Sequence, residues 1–450
     1  MAAWNEQIRQ CRLRRGLTQE EFAHELARVA WEQLHERVGV DSAMVSKWER
    51  GTKQPSRRYQ RLLRHLLGDS SAAGPVLDGQ GDGVGLDYAR TVPHALNTVE
   101  ELGRADMERR AFLRNSLFAI GASIAPSRDW LVATIEDATA PAARVSSTQV
   151  DAIRRTFGIF QEMDVMRGGG HARRQLADYV TTVVTPLLRE NDASTATGQA
   201  LYEAGAEQLY LLGWMAYDDG EHSLAQRYLV QALRLAQEAR RPELGAHVLA
   251  GLSDQATLTG HPDQALQLAR AGRAGLAGTN SDACLADLWA LQARAQAALG
   301  DGTAAARSVA QSERHAAAID LDDEPEWARF IDVAYLNGEY AHAFRDLGRT
   351  SESTHFATVS ADDAARQHRA RRGSLAHATL ARAALADHDL EAAAAAATTT
   401  VELAGAVRSS RSGAAVDDLR TRLGDHTASP HVADFLDLAD ALVPVRSPRA

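Results

Sequence analysis

Apolar residues recur at helical spacing along most of the chain. Trp4 and Ile8 follow this spacing near the start, and the leucines of 62–67 follow it at the end of the first 68 residues. After Asp87 the helix formers Ala, Leu, Arg, Glu and Gln dominate, and β-branched alternation is scarce. The pattern predicts an all-α protein.

Glycine and proline divide this helical pattern into segments. Residues 69–86 contain five glycines and one proline, a composition typical of a flexible connector. A flexible coil of that length has a root-mean-square end-to-end distance of about 23 Å. The predicted segments are a compact head at 1–68, the connector at 69–86, a helical connecting or dimerisation region at 87–194, a helical repeat domain at 195–443 and a tail at 444–450.

Turn residues recur at a fixed interval in the second half of the chain. Gly220, Gly260 and Gly300 are 40 residues apart, Gly348 follows after 48, and Asp387-His388 lies about 40 further on. This periodicity predicts an array of helical hairpins. A separate glycine run, 168–170, predicts a break between a helix ending near 167 and another beginning near 172.

Small residues stand at matching distances from these turns. Gly213 and Ala225 flank the first turn, and Ala232 follows seven residues, or about two helical turns, after Ala225. These small residues allow the paired helices to approach closely, while Leu212 and Leu229 fill the space between them. A small residue seven before the turn and an alanine five after it resemble the tetratricopeptide repeat, although the period of 40 exceeds the usual 34 or so. The resemblance implies a TPR-like α-solenoid.

Charge is distributed unevenly along the chain. The net charge is -10, but residues 1–67 hold 13 basic and 8 acidic residues, whereas the remainder holds 36 basic and 51 acidic ones. A basic head on an acidic body suits a polyanion-binding module joined to a part that should not bind nucleic acid. A chance cluster of solvated arginines is the alternative.

Several other classes of protein find no support in the sequence. Cys11 and Cys284 are too few for a disulfide framework, which favours a reducing cytoplasm. No signal peptide or membrane-spanning run is present, and no histidine, cysteine or glycine spacing indicates a metal, cofactor or catalytic site. We therefore expect a cytoplasmic, nucleoid-associated protein that is not an enzyme and carries no metal or cofactor.

The head contains two ordered motifs. Thr18-Gln19-Glu20-Glu21-Phe22-Ala23 begins with a capping box from Thr18 to Glu21. Val45-Ser46-Lys47-Trp48-Glu49-Arg50-Gly51 follows Asp41, which is placed to cap a helix. On that helix Val45 and Trp48 share the inner face. A short helix with small and basic residues on its outer face is shaped to enter a major groove.

Together these motifs resemble the Cro/C1-type helix-turn-helix of the XRE family, of the actinobacterial type that carries TPR-like repeats. The resemblance implies sequence-specific binding to double-stranded DNA by a homodimer. The residues it places on DNA are Gln19, Ser42, Ala43, Ser46, Lys47, Arg50, Lys53 and Arg57. Residues 27–38 lengthen the usual pattern, so that helix two is either extended or split in two. Residues 32–40 are an alternative candidate for the second helix of the family. A helical bundle for protein contact is the alternative for the head.

A second candidate site lies on the first helices of the hairpins. The positions that line the concave surface of tetratricopeptide repeats are held by Tyr210, Trp214, Tyr217, Asp254, Arg294, Tyr335, His342 and Arg345. Aromatic and charged groups together suit an effector, either a small molecule or a peptide. Packing between neighbouring repeats is the alternative. Peptide-pheromone receptors of the Rap, PlcR and PrgX type are distantly similar, but their grooves use asparagines, which are scarce here.

The sequence thus predicts a dimeric transcriptional regulator with a DNA-binding head and a TPR-like body that dimerises and senses an effector. An adaptor whose body binds a protein partner, and whose head only localises it, is the alternative.

Overall fold

A computed structural model gives the conformation of most of the chain after residue 37. The described residues are 8, 9, 12, 18–20, 22, 23, 26, 38–56, 59, 63, 85, 86, 88, 89, 91–107, 121–136, 148–277, 281–320 and 324–443. All regular structure in these ranges is helical. The chain divides into two compact units, Met1–Gln80 and Gly81–Ala450.

The first unit has a small apolar core built around helix α1, Ser42–Glu49. Asp41 caps α1, because its Oδ1 accepts a hydrogen bond of 2.7 Å from the backbone N–H of Met44. Val45 and Trp48 are fully buried, and they pack with the core residues Ile8, Phe22, Ala23, Leu26 and Leu63. The predicted cap, helix and inner face are thus confirmed.

The second unit consists of consecutive helices. Those before the repeats are α2 (Val92–Met107), α3 (Gly121–Glu136), α4 (Thr148–Arg167), α5 (Arg173–Tyr179), a π-helical turn (Val180–Val184) and α6 (Thr185–Glu190). Those of the repeat region are α7 (Ala196–Asp218), α8 (His222–Glu238), α9 (Pro242–Leu258), α10 (Pro262–Gly275), α11 (Asp282–Ala298), α12 (Gly302–Ala316), α13 (Val333–Asp346), α14 (Thr350–Arg366), α15 (Ala370–Ala386), α16 (Leu390–Gly405), α17 (Ser410–Leu423) and α18 (Pro430–Leu442).

The predicted turns lie between paired helices. Gly220, Gly260, Gly300 and Gly348 have φ between 68° and 81°, a left-handed conformation that glycine adopts without steric cost. His388 takes the same role with φ of 61°. Each of these residues joins two helices that pack on one another, α7 with α8 through α15 with α16. The helical hairpins are therefore confirmed.

Small side chains set the distance between the paired helices. A Cβ on Gly213 would lie 2.7 Å from Cγ of Leu229, so that any larger residue there would force α7 and α8 apart. At the matching position of the next hairpin, the Ser253 hydroxyl donates to the backbone carbonyl of Ala265 over 2.9 Å. Close packing at this position therefore extends beyond the first hairpin.

The helices before the repeats belong to the same core. Residues from Leu96 on α2 to Phe344 on α13 form one continuous apolar cluster. α4 contacts both α7 and α15, which lie far apart in sequence. Region 87–194 is accordingly packed against the hairpins along its described length. Whether it also dimerises stays a prediction.

The glycine run 168–170 forms the predicted break, between α4 and α5. A Cβ on Gly168 or Gly169 would collide with the backbone of Arg408 or Met215, respectively. The backbone N–H of Arg408 donates to the Arg167 carbonyl over 2.7 Å. These glycines therefore let the end of α4 dock between the first hairpin and the last one.

Part of the predicted connector lies within the second unit. Residues 69–84 lie outside the described residues, as do the tail 444–450 and the lengthened segment 27–37. Gly85, however, is buried, and its carbonyl accepts a hydrogen bond from the side chain of Gln231 over 3.1 Å. In the parts of the chain that the structure describes, no helix has the length and apolar character needed to cross a membrane.

Candidate functional site

The outer face of α1 carries small and basic side chains. Ser42, Ala43, Lys47 and Arg50 are exposed, and Ser46 is half-buried. Lys53 is exposed just beyond Gly51, whose φ of 70° ends the helix. In the described part of this unit, no carboxylate lies within ion-pair distance of Lys47, Arg50 or Lys53. These cations are free to meet an external anion.

The side chain of Gln19, which is predicted to contact a DNA phosphate, bonds to protein in this structure. Its Nε2 donates to Oε2 of Glu49 over 2.6 Å, and Nε of Arg12 lies 2.6 Å from the other carboxylate oxygen. The charge and hydrogen bond of Glu49 oppose the effect of burial and raise the pKa of Arg12. Gln19 therefore helps to fix the end of α1. Arg57 lies outside the described residues.

The groove is the predicted concave side of the hairpins, with the eight candidate residues from Tyr210 to Arg345. These residues lie close together inside the second unit, although they come from α7, α9, α11 and α13. The ring centroids of Tyr210 and Trp214 are 6.5 Å apart, and those of Trp214 and Tyr217 are 5.3 Å apart. Phe330 lies between Trp214 and Tyr335, with centroid distances of 6.4 and 5.2 Å. The aromatic side chains therefore form one cluster.

The charged members form a buried network. Arg294 donates to Asp254 and, over 2.8 Å, to Glu339, so that one guanidinium joins α9, α11 and α13. Burial acts to raise the pKa of Glu339, but Arg294 overcomes this effect and holds it well below its usual value. Arg345, which is partly exposed, pairs with Asp346. Asp254, Arg294 and Glu339 thus support the packing of three hairpins.

Burial shifts the pKa of two titratable groups beside this network towards the neutral form. Burial raises the pKa of Asp287 to about 8, and its carboxyl is within 2.8 Å of the Tyr335 hydroxyl. Burial lowers the pKa of His342 to about 4, and the nearby Arg345 adds to this shift. Burial thus favours the neutral forms of Asp287 and His342, whereas Arg294 favours the ionised form of Glu339.

A second set of arginines was not predicted. Arg371 on α15 makes a bidentate contact of 2.7 and 3.1 Å with Asp164 of α4 and also donates to Asp218 of α7. Arg372 pairs with Glu339 and covers the ring of Tyr335 at 4.8 Å. These contacts span up to 207 positions, and no periodicity in the sequence relates the two sides.

Arg411 on α17 is the most distinctive member of this set. It lies over the rings of Trp214 and Tyr217 at 5.6 and 4.9 Å. Among the described residues, it has no hydrogen-bond or ion-pair partner.

One of the unpredicted arginines has a signal in the sequence. Arg382 stands six residues before His388, as the predicted groove residue Arg294 stands six residues before Gly300. Counting back from the turns therefore identifies Arg382 as a groove position.

The described residues contain no group of three or more His, Cys, Asp or Glu side chains placed to bind a metal ion. Cys284 is buried and free. No family model matches the chain, and no curated protein matches it either.

Proposed function

We propose that this protein is a sequence-specific DNA-binding transcriptional regulator of the Cro/C1-type helix-turn-helix class. The observation that carries the proposal is the division of α1 into two faces. Val45 and Trp48 hold the helix in the core, while Ser42, Ala43 and Lys47 project from it. Side chains of this size let a helix sit deep in the major groove, and Lys47 can donate to guanine O6 or N7.

The basic residues around α1 supply the contacts to the DNA backbone. Ser46, Arg50 and Lys53 lie towards the end of the helix or just beyond it, where phosphates flank the groove. Because Lys47, Arg50 and Lys53 have no carboxylate partner among the described residues, they can release counterions on binding. Gln19 bonds Glu49 at the end of α1, and its contact with a DNA phosphate stays a prediction.

The second unit serves as a TPR-like regulatory body in this proposal. The regulator is a homodimer whose two heads read half-sites about one turn of DNA apart, or a multiple of it. An effector in the groove beside Trp214, Arg294 and Tyr335 changes the curvature of the repeats and hence the spacing of the heads.

Genome-wide mapping of bound sites tests the proposal. The comparison is between the wild-type chain, Lys47→Ala with Arg50→Ala, and a control with Arg329→Ala and Arg366→Ala, which removes the same charge from exposed positions of the body. We expect discrete sites for the wild type and the control, and their loss in the α1 variant. An unchanged map for the α1 variant would contradict the proposal.

A further inference from the structure

The groove of the second unit holds two neighbouring cavities. The first has a volume of about 60 Å³, and its walls include the aromatic residues Tyr210, Trp214, Phe330 and Tyr335. Four arginines and Asp164 also line it. The aromatic side chains give this cavity surfaces on which an aromatic ring can stack.

The second cavity is lined by arginines. It has a volume of about 420 Å³, and Arg294, Arg345, Arg382 and Arg411 lie in its wall without a single Asp or Glu. The carboxylates that pair with the first three arginines, among them Asp346 and Asp418, are not part of the wall. Three of these four guanidinium groups are thus paired with carboxylates behind the wall, whereas Arg411 has no such partner among the described residues.

The crowding of these arginines has an electrostatic consequence. Burial lowers the pKa of Arg345, and the positive charges of Arg382 and Arg294 lower it further, against the effect of Asp346. An anion placed beside Arg345 would relieve this repulsion, whereas carboxylates such as Asp254 and Glu339 already raise the pKa of Arg294 and Arg411 against the effect of burial. Carboxylate and phosphate groups also match the planar, forked geometry of guanidinium donors.

Arg411 and Leu375 connect the two cavities, because both residues line each of them. Arg411 has no hydrogen-bond or ion-pair partner among the described residues, and it lies over Trp214 and Tyr217. Against the effect of burial, the charges of three carboxylates also act on this guanidinium and raise its pKa, those of Asp254, Asp218 and Glu339. Its donors make no hydrogen bond within the described residues and remain available for a ligand. A molecule that crosses from one cavity to the other passes this side chain.

We propose that the two cavities together bind a small aromatic anion, with its ring beside Trp214 and Phe330 and its carboxylate or phosphate on Arg411 and the cationic wall. This inference deepens the effector role proposed above and rests on it only for the effect on DNA. Binding of the anion itself requires nothing of the head.

Calorimetric titration of the full chain with three related probes tests the inference. The probes are 2-naphthoate, 2-naphthyl phosphate and the neutral 2-naphthamide. We expect at least one anion to bind saturably. The amide should bind about tenfold more weakly than that anion, or weaker still, since a hydrogen bond to a charged group is worth about 1.5–3 kcal/mol. The better anion identifies the acidic group. Equal affinity for the amide, or no saturable binding of either anion, would overturn the proposal.

Substitutions of Arg411 and Leu375 locate the site, with Arg366→Gln as the control. Arg411→Gln should remove the preference for the anion, Arg411→Lys should restore part of it, and Arg366→Gln, at an exposed position on α14, should leave it unchanged. Leu375→Trp fills the junction without altering charge and should abolish binding even if Arg411→Gln fails to fold. Full binding in Leu375→Trp, or in a folded Arg411→Gln, would place the anion elsewhere and overturn the assignment.

The two proposals fail in different ways. If the anion binds but the wild-type chain selects no DNA, the cavity proposal stands and the regulator proposal fails. If DNA binds but no anion does, the reverse holds. When both bind, a saturating anion should change the affinity for DNA in the wild type and leave it unchanged in Leu375→Trp.

Discussion

Cations of the two units have different surroundings. On α1 of the first unit, Lys47 and Arg50 are exposed and lack carboxylate partners in the described residues. In the second unit, Arg294 and Arg371 lie in the interior, and each bonds two carboxylates from other helices. Similar side chains thus serve external contact in one unit and internal cohesion in the other.

This difference shows why charge counts alone say little about function. A cation without a partner can be exchanged with little effect on folding, whereas removal of one member of a buried pair leaves the other charge uncompensated. Arg411 departs from the pattern of its own unit, because it lies in the groove without an ion pair. The predictions below test these distinctions in order of expected size.

The largest effect is expected for Arg371→Gln. Because Asp164 and Asp218 would both lose their guanidinium partner, the free energy of unfolding should fall by about 3–5 kcal/mol. Urea denaturation followed by circular dichroism measures the change, with Arg366→Gln as a control that should stay within about 0.5 kcal/mol of the wild type. A loss below about 1 kcal/mol would show that the pairs contribute no cohesion.

A double substitution on α1 should act on binding and leave stability unchanged. Lys47→Ala with Arg50→Ala should weaken DNA binding by about 1–3 kcal/mol for each side chain that touches DNA, and reduce the slope of log K against log salt by about 1 for each phosphate left without its cation. Fluorescence anisotropy across a salt series measures both quantities. An unchanged slope would mean that neither residue contacts DNA.

Asp287 should make the second unit less stable as the pH rises. Its pKa is about 8 in the folded chain because of burial, and about 4 when unfolded. Between about pH 4 and pH 8 the folded state binds more protons than the unfolded state. The free energy of unfolding therefore falls by up to about 1.4 kcal/mol for each unit by which the pH rises. Asp287→Asn should remove this slope, as measured by urea denaturation from pH 5 to 8. Parallel curves for the two proteins would contradict the prediction.

The smallest effect concerns the cap of α1. Asp41→Ala removes the acceptor for the Met44 N–H and should cost about 1 kcal/mol of stability in the first unit, whereas Asp41→Asn should cost less. Hydrogen exchange at the amides of α1 measures the loss. Equal protection in all three proteins would show that the cap does not stabilise the helix.

Local rules predicted the elements of the fold well. The turns at Gly220 and His388, and the inner face of α1 with Val45 and Trp48, follow from backbone conformation and helical periodicity, which depend on neighbours in sequence. The groove residues from Tyr210 to Arg345 also converge, since equivalent positions of successive hairpins share one side.

Contacts between residues far apart in sequence could not be predicted from these local rules. Docking of α4 and α7 against α15 and α17 depends on how the hairpins curve, and this curvature brings Arg371 to Asp164 and Arg411 to Trp214. No spacing encodes these pairs. The hydrogen bond from Gln19 to Glu49 was not predicted either, because the two residues lie 30 positions apart on different motifs.

Selection of duplexes from a random pool by the full-length protein tests the central claim most directly. The account predicts that the wild type enriches one sequence motif, and that the chain with Lys47→Ala and Arg50→Ala enriches none while its body unfolds at the wild-type urea concentration. No enrichment by the wild type, or the same motif from both proteins, would contradict it.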